Sequence, residues 1–239
     1  MQDEAESLPE AGRRSEVAHR TGSVGSTLSE RDSIELVARY GVPVVEERRV
    51  PDPERAVTAA DDLGYPVVVK LHGDAIAHKT ERGLVRLGLA DAASVRTAAR
   101  EVLAAAQLDD GAVDLVVAPM VTGTRELIAG VHTDAQFGRC VMVGIGGVLT
   151  EALGDVAFRL APLSGADADD MFDELGAQAL LGPVRGEPAV DRAAVRDVLL
   201  ALSRLAVAEP DVLSVDCNPL VVMGDGRPVA VDALVELHQ

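Results

Sequence analysis

The chain has 239 residues and a formal net charge of −17, which argues against nucleic acid or an anionic membrane as a partner. Hydrophobic residues make up 48% of it but aromatic residues only 2%, so the core must consist of Val, Leu, Ile and Ala, as in α/β proteins. Cys140 and Cys217 are far apart and have no metal-binding spacing, which favours a reduced, cytoplasmic setting. No apolar run reaches the length of a membrane span, and no signal peptide is indicated, so we expect no membrane association.

The first half of the chain predicts a polar tail followed by a compact α+β lobe. Residues 1–27 are Gly/Ser-rich and without periodicity, which is typical of a disordered tail. Helices are predicted after the capping residues Ser29, Asp52 and Asp91, and they are expected to end at Gly41, Gly64 and Gln107. Strands are predicted at 42–45, 66–71, 84–89 and 113–118. Together these elements predict a first lobe over residues 28–118.

Pro119 and Gly123 interrupt the pattern and predict a hinge over residues 118–124, before a second lobe over 119–239. Strands are predicted at 126–132, 139–144 and 158–161, and three helical segments within 165–208. The segment DCNPL is predicted to separate two short strands, 212–216 and 220–223, and a turn at Asn218-Pro219 is one interpretation of the break. A final strand is predicted at 229–232.

Residues 66–88 hold the densest group of residues suited to phosphate chemistry. Lys70 ends an apolar run, and His78 and Lys79 lie in the polar loop that follows. Ammonium groups and closely approaching backbone N–H groups suit a polyphosphate. A neutral histidine nitrogen can also accept a phosphoryl group if a carboxylate fixes its tautomer. A lysine at a strand end and a solvated loop histidine remain the alternative interpretations.

Asn218 and Asp232 are predicted at the ends of neighbouring strands, where an amide oxygen and a carboxylate would meet. Such oxygen ligands suit Mg²⁺, which keeps phosphate and water ligands as well. Solvated turn residues are the alternative. Three arginines, Arg125, Arg139 and Arg159, are candidates to clamp phosphate or to form surface ion pairs. The GIGG loop at 144–147 lacks the spacing of a dinucleotide fingerprint.

In combination, several motifs resemble those of a known family. They are GYPVVVKL (64–71), AIAHKTERGLV (75–85), VVAPMVTGTRELIAGVHTDAQFG (116–138), GIGGVLTEALGDVAFRLAPL (144–163), SRLAV (203–207) and SVDCNPLVV with VAVDA near the C-terminus. The chain from about residue 28 to 237 resembles the nucleotide-binding beta subunit of ADP-forming acetyl-CoA and acyl-CoA synthetases. It is more distantly similar to the beta subunit of succinyl-CoA synthetase. The resemblance implies an α/β protein of the ATP-grasp fold, with two α+β lobes and a nucleotide cleft between them.

The resemblance also assigns roles to single residues. Lys70 and Lys79 would contact the phosphates of ATP or ADP, and Glu126 would lie near the nucleotide. The backbone around Val117, Ala118 and Met120 would read adenine. Asn218 and Asp232 would hold Mg²⁺. His78 matches the family's second phosphohistidine, and Asp216 matches the carboxylate that supports it.

The family scheme implies a partner, because nothing in the sequence resembles a CoA-binding domain. A CoA-binding alpha subunit would carry the acyl-CoA site and a first phosphohistidine, in a hetero-oligomer with this chain. The phosphoryl group would then pass through His78 to ADP, so that acyl-CoA, phosphate and ADP give acid, CoA and ATP reversibly.

The sequence departs from the family pattern in two places. Leu84 stands where the family commonly has glycine, and its side chain is expected to crowd the approach of phosphate to the backbone. Ala118 and Pro119 replace a glutamine and a lysine at the hinge, and Pro119 offers no N–H to a base. Two other functions therefore stay open: an ATP-grasp carboxylate ligase without a phosphohistidine, and a non-catalytic nucleotide-sensing subunit.

Overall fold

The structure, a computed structural model, describes residues 26–73, 82–147, 154–184 and 186–238. His78 and Lys79 therefore lie outside the described residues. The helices in these ranges are α1 (Glu30–Tyr40), α2 (Pro53–Leu63), α3 (Ala92–Ala104), α4 (Gly165–Glu174), α5 (Gln178–Leu181) and α6 (Arg192–Ala208). The strands are β1 (Ser26–Thr27), β2 (Arg48–Val50), β3 (Val67–Gly73), β4 (Val85–Leu89), β5 (Val113–Pro119), β6 (Arg125–Asp134), β7 (Gly138–Ile145), β8 (Val156–Leu160), β9 (Val212–Val222), β10 (Pro228–Ala230) and β11 (Leu234–Leu237).

The smaller of the two sheets consists of four antiparallel strands in the order β2-β5-β3-β4. Side chains on β3 alternate between its faces, as expected of a strand. Val67, Val69 and Leu71 point into a core that α2 and α3 cover, whereas Lys70 lies on the opposite face. This sheet therefore turns its uncovered face, with Lys70 on it, toward the rest of the molecule.

The larger sheet runs in the order β1-β11-β9-β6-β7-β8, with β10 paired beside β9. α1, α4 and α6 pack against one of its faces and form a core rich in Leu, Val and Ala. α6 contributes the most residues to this core, including Leu199, Leu202 and Leu205, which have no exposed surface. The other face of β6 and β9 is left open toward the smaller sheet.

The N-terminal helix packs with the larger sheet although it precedes the smaller sheet in the chain. Ile34, Leu36 and Val37 are buried in the larger core, and the Val235 N–H donates to the Ser33 hydroxyl. Ser26 and Thr27, which are predicted to belong to the tail, instead pair with β11, and residues 1–25 lie outside the described residues. The predicted division into two lobes at residue 118 stays a prediction. The two hydrophobic cores are not divided at that residue, because the apolar side of α1 packs against α6 in the larger core.

The predicted helix starts are confirmed by their caps. Ser29, Asp52 and Asp91 accept hydrogen bonds from the backbone of the first turns of α1, α2 and α3. Gly41, at a φ of 103°, ends α1 in the left-handed region that favours glycine. The predicted end of α3 is three residues too late, because Gln107 precedes a separate 3₁₀ turn, Leu108–Asp110.

The DCNPL segment is where the sequence prediction was wrong. β9 runs unbroken through Asn218 and Pro219, so this dipeptide is not a turn between two strands. Pro219 is accommodated beside an irregularity, since the register to β6 shifts between Leu127 and Ala129. The predicted strand at 42–45 is likewise reduced to one bridge, between Val44 and Ala230. The sequence prediction missed β2 and β11.

Candidate functional site

A cleft of about 340 Å³ lies between the two sheets and is lined by five of the ten predicted site residues. Ala118 and Met120 of the hinge lie at one side of it, and Lys70 lies on its smaller-sheet face. Glu126 of β6 and Asp232, which follows β10, line it from the larger sheet. The remaining lining is mainly apolar, with Val68, Leu87 and Val221 among its side chains. An apolar slot that ends in charged groups suits a nucleotide, with its flat base and its polyphosphate.

Lys70 is held in the cleft by two carboxylates. Its Nζ donates to Glu30 Oε1 at 2.9 Å and to Glu47 Oε1 at 3.2 Å. The three side chains are each only about one fifth exposed, at 17%, 21% and 19%. Burial alone would lower the pKa of Lys70, but Glu30 and Glu47 raise it above its usual value. The ammonium is therefore a permanent positive charge at the place where phosphates would lie.

The open face of β9 carries Asp216 and Asn218, two positions apart and therefore on the same side of the strand. The surface of Asp216 is exposed to solvent. Protein atoms around its carboxyl group nevertheless replace part of the surrounding water, and this desolvation raises the pKa of that group. A hydrogen bond with Asn218 opposes the shift. Gly130 stands opposite Asp216 on β6, where a Cβ would come within 2.3 Å of the Val215 carbonyl oxygen. Only glycine fits there without moving the backbone.

Asn218 and Asp232 are brought together by the pairing of β10 with β9. Ala230 lies opposite Leu220, and the Val231 N–H donates to the Pro219 carbonyl at 3.3 Å, so the chain reaches Asp232 beside Asn218. Among the described residues, no group of three His, Cys, Asp or Glu side chains could by itself hold a metal. An amide and a carboxylate oxygen therefore fit Mg²⁺ only as partial ligands, with phosphate and water completing its shell.

One backbone carbonyl of the hinge is directed away from the smaller sheet's pairing with β3. The Met120 N–H donates to the Pro66 carbonyl at 2.9 Å, and Pro119 has no N–H. Because hydrogen-bonded and non-bonded pairs alternate along an antiparallel ladder, the Pro119 carbonyl points away from β3, on the side beyond the first residue of β2. Val121 follows the end of β5 and also lines the cleft.

Two residues singled out from the sequence lie away from the cleft. Leu84 has no exposed surface and packs in the smaller core, so its side chain does not crowd the cleft as expected. Val117 also points into that core, and β2 pairs with it. The loop that would carry His78 and Lys79 falls between β3 and β4, outside the part of the chain that the structure describes.

The three candidate arginines are engaged elsewhere. Arg125 donates to the carbonyls of Gly182 and Pro188, and Arg139 donates to the carbonyl of Glu209. Arg159 forms an ion pair with Glu174. They bind backbone or surface carboxylate groups, and the structure does not place them as phosphate clamps. Arg125 also borders a second cavity of about 350 Å³, which is mainly apolar.

Sequence reasoning missed Glu30 and Glu47, the partners of Lys70. Glu30 is the first residue of α1, where an acidic side chain is common because it favours the helix dipole. Glu47 lies in a charged run before β2 that looks like a solvated surface. Only the fold shows that both reach Lys70, which is 40 and 23 residues away.

Within the described ranges, no helix is long and apolar enough to cross a membrane. The chain thus consists of two sheets that face each other across a cleft, with a buried lysine on one face and oxygen ligands on the other. This arrangement suits a protein that binds a nucleotide.

Comparison with known proteins agrees with this class. The ATP-grasp domain family matches residues 20–237, and the chain belongs to that family. It is 34% identical over 221 residues to the beta subunit of acetate–CoA ligase (ADP-forming) I of Pyrococcus furiosus, covering 91% of this chain and 95% of the relative. The fold and the ligase class expected from the sequence are thereby confirmed.

Two further relatives show how this unit occurs elsewhere. An acetyl-coenzyme A synthetase 1 of Ca. Korarchaeum cryptofilum shares 35% identity and a TM-score of 0.77, over 88% of this chain and 92% of that one. It was solved with coenzyme A and Mg-AMPPCP, its phosphohistidine segment pointing towards the nucleotide binding site. The 4-hydroxybutyrate–CoA ligase (ADP-forming) of Nitrosopumilus maritimus is 34% identical over 84% of this chain, which spans only 29% of that relative.

Proposed function

We propose that this chain is the nucleotide-binding, phosphoryl-transferring subunit of an ADP-forming acyl-CoA synthetase, with acetyl-CoA as the acyl-CoA, in keeping with the name of the Pyrococcus furiosus relative. The observation that carries the proposal is the cleft, which opposes Lys70 on one sheet to Glu126 and Asp232 on the other. Asp216 and Asn218 do not line the cleft itself but lie on the open face of β9, next to its lining residue Pro219. The ATP-grasp family and the relative named as a beta subunit support it.

Lys70 would bind the phosphates of ATP or ADP. Its ammonium is fixed on β3 and is only 17% exposed, so its attraction for phosphate is little screened by water. Lys79 would add a second positive charge when the loop after β3 lies over the phosphates. This role of Lys79 rests on the sequence resemblance.

The hinge would read adenine in preference to guanine. Adenine presents an amino donor beside a ring-nitrogen acceptor. The Pro119 carbonyl would accept from that amino group, and the Val121 N–H would donate to that ring nitrogen. Guanine presents an acceptor and a ring N–H at the same edge, which would leave both backbone groups unsatisfied. The lack of an N–H at Pro119 would therefore not weaken the binding of adenine, because adenine would use the carbonyl of that residue.

Asn218 and Asp232 would bind Mg²⁺ together with the nucleotide, and the bound metal would offset charge on the transferring phosphoryl group. Asp216 lies on the same strand face as Asn218. It would orient His78 so that one imidazole nitrogen is free to take the phosphoryl group. The phosphorus–nitrogen bond to His78 would then break as an oxygen of the ADP β-phosphate forms the new bond to phosphorus.

A CoA-binding subunit would deliver the phosphoryl group. In the proposed hetero-oligomer it would cleave acyl-CoA with phosphate and carry the product on its own histidine. The much greater length of the Nitrosopumilus relative is consistent with such a division, since this chain spans only 29% of it.

The test is a labelling experiment. The purified chain, alone and with the CoA-binding subunit from the same organism, is incubated with Mg²⁺ and γ-labelled ATP. We expect acid-labile, base-stable label that disappears in His78→Ala while ATP binding is retained. Asp216→Asn should lower the labelling rate about a hundredfold, because the imidazole loses its orientation. His132→Ala, an exposed histidine on the same sheet, is the matched control.

Three results would count against the proposal in different ways. Unchanged label in His78→Ala would place the phosphoryl group on another residue. Binding of ATP without label, even with the partner present, would favour a ligase that phosphorylates a carboxylate directly. A chain that binds no nucleotide would exclude both enzymes.

A further inference from the structure

The contacts of Lys70 leave one of its donors for a ligand. A lysine ammonium has three N–H donors, and two of them are directed at Glu30 and Glu47, at 2.9 and 3.2 Å. For the third, no hydrogen bond within the described ranges is seen, and it is available to a ligand in the cleft. Two fixed hydrogen bonds restrict an otherwise flexible side chain, so the carboxylates determine where the third donor lies.

The two carboxylates come from different parts of the fold. Glu30 begins α1, whose apolar side chains are buried in the larger core. Glu47 precedes β2 of the smaller sheet, which also contains Lys70. The Lys70 side chain is therefore held from both sides of the cleft, and its position depends on the relative placement of the two sheets.

The same carboxylates make the cleft negative. Its described lining contains one cation, Lys70, and four carboxylates, Glu30, Glu47, Glu126 and Asp232. A polyphosphate that approaches Lys70 thus meets a positive donor inside a negative surrounding.

We propose that Glu30 and Glu47 are positioning residues that aim Lys70 at the phosphates and make the cleft selective for nucleotide in its divalent-metal complex. The inference rests on the proposed function, because it concerns the same cleft. It assigns the two glutamates a role in addition to those of the lysines, the hinge, and the Asn218 and Asp232 ligands.

The physical reason is the difference in ligand charge. A free nucleoside triphosphate carries roughly twice the net negative charge of its magnesium complex, so each carboxylate repels the free form more strongly. Direct hydrogen bonds from Lys70 are available to both forms. The glutamates therefore weaken the binding of free nucleotide more than they weaken the binding of its magnesium complex.

Substitution by glutamine separates charge from geometry. Glutamine keeps an oxygen that accepts from the Lys70 Nζ, but it removes the negative charge. We expect Glu30→Gln and Glu47→Gln each to bind ATP in EDTA about tenfold more tightly than the unmodified chain does. Binding of ATP with excess Mg²⁺ should change less than about threefold. Isothermal titration calorimetry of the full chain measures both affinities.

Substitution by alanine tests the positioning. The double variant Glu30→Ala/Glu47→Ala removes both acceptors, so the Lys70 side chain is released. We expect it to bind Mg·ATP about tenfold more weakly than the corresponding double glutamine variant, although the two variants have the same charge. Equal affinities of these two variants would overturn the positioning role.

The chain supplies matched controls for both sites. Glu35 lies on α1 with Glu30 but pairs with Arg31 at the surface, and Glu46 precedes Glu47 but pairs with Arg48. Glu35→Gln and Glu46→Gln make the same charge change and should leave both affinities as they are. Circular dichroism melting confirms that each variant is folded.

The outcomes separate this inference from the proposed function. If the unmodified chain binds no Mg·ATP or Mg·ADP, the proposed function fails, and the inference fails with it. If it binds Mg·ATP and the glutamine variants show no gain for ATP in EDTA, only the charge selectivity is overturned. The charge selectivity would also be overturned if the Glu35→Gln and Glu46→Gln controls gained as much affinity for ATP in EDTA, since the change in net charge alone would then explain the gain.

Discussion

The smaller and the larger sheet each bury one face under helices, but the faces that they turn toward the cleft differ in chemistry. The smaller sheet presents Lys70, a cation enclosed by its partners. The larger sheet presents Glu126 on β6 and Asp216 and Asn218 on the neighbouring β9, whose side chains carry oxygen atoms. The difference shows how two ordinary antiparallel sheets can grip one polyphosphate from opposite sides, with a positive group on one side and metal ligands on the other.

The two faces also differ in how they are kept accessible. On the smaller sheet, Lys70 is held by Glu47 from its own side of the cleft and by Glu30 from the other side. On the larger sheet, Gly130 leaves room beside Asp216 because it has no side chain. The face of the smaller sheet depends on the ion pairs of Lys70, whereas the face of the larger sheet depends on the missing side chain of Gly130. Substitutions on the two faces should therefore have different effects.

The largest effect is expected on the larger sheet, from Gly130→Ala. The new Cβ would meet the Val215 carbonyl oxygen at 2.3 Å, and backbone cannot yield as a flexible side chain can. We expect the free energy of unfolding to fall by about 3 kcal/mol, measured by urea denaturation. Gly224→Ala is the control, because a Cβ there meets nothing within 4 Å. Equal stability of the two variants would show that β6 and β9 can separate at little cost.

The next largest effect is expected on the smaller sheet, from Lys70→Met. The substitution keeps the apolar stem but removes the charge, and Glu30 and Glu47 are left without their cation. We expect affinity for Mg·ATP to fall about a hundredfold, since a charge-assisted hydrogen bond is lost and two repelling groups remain. Calorimetry measures this, with Arg100→Met on α3 as the control for removal of an exposed cation. Undiminished affinity would mean that the smaller sheet does not supply the phosphate contact.

The smallest effect concerns pH, at the point where the chain enters β4. Arg82 binds both oxygens of Asp110, and this pair holds the pKa of Asp110 at about 2, below its ordinary 3.8. Because the folded-state pKa is lowered, the stabilisation is complete above the ordinary pKa and is lost as pH falls toward 2. Asp110→Asn should therefore be less stable than the unmodified chain at neutral pH, and the gap should narrow between about pH 4 and pH 2.

Urea denaturation at several pH values measures that gap. A matched variant, Asp109→Asn, removes a neighbouring carboxylate for which no ion pair with Arg82 is described. Its stability relative to the unmodified chain should not follow the same pH dependence. A constant gap for Asp110→Asn across this range would show that the Arg82 pair does not stabilise the folded state.

Much of the fold could be predicted from the sequence because its signals are local. Ser29, Asp52 and Asp91 cap the turns that directly follow them, and Gly41 ends α1 by its own backbone conformation. Hydrophobic periodicity likewise indicated where most strands lie. The family motifs around Lys70 and DCNPL then pointed to a nucleotide cleft, and the family match confirmed the fold.

The tertiary structure alone decided which of these elements meet. Local sequence favours a turn at Asn218-Pro219, but pairing with neighbouring strands on both sides keeps β9 continuous there. α1 joins the larger core because its apolar stripe is buried on α6, far along the chain. That packing also carries Glu30 to Lys70. The sequence by itself therefore determined the local elements and the lysine, whereas long-range burial determined the carboxylates that hold it.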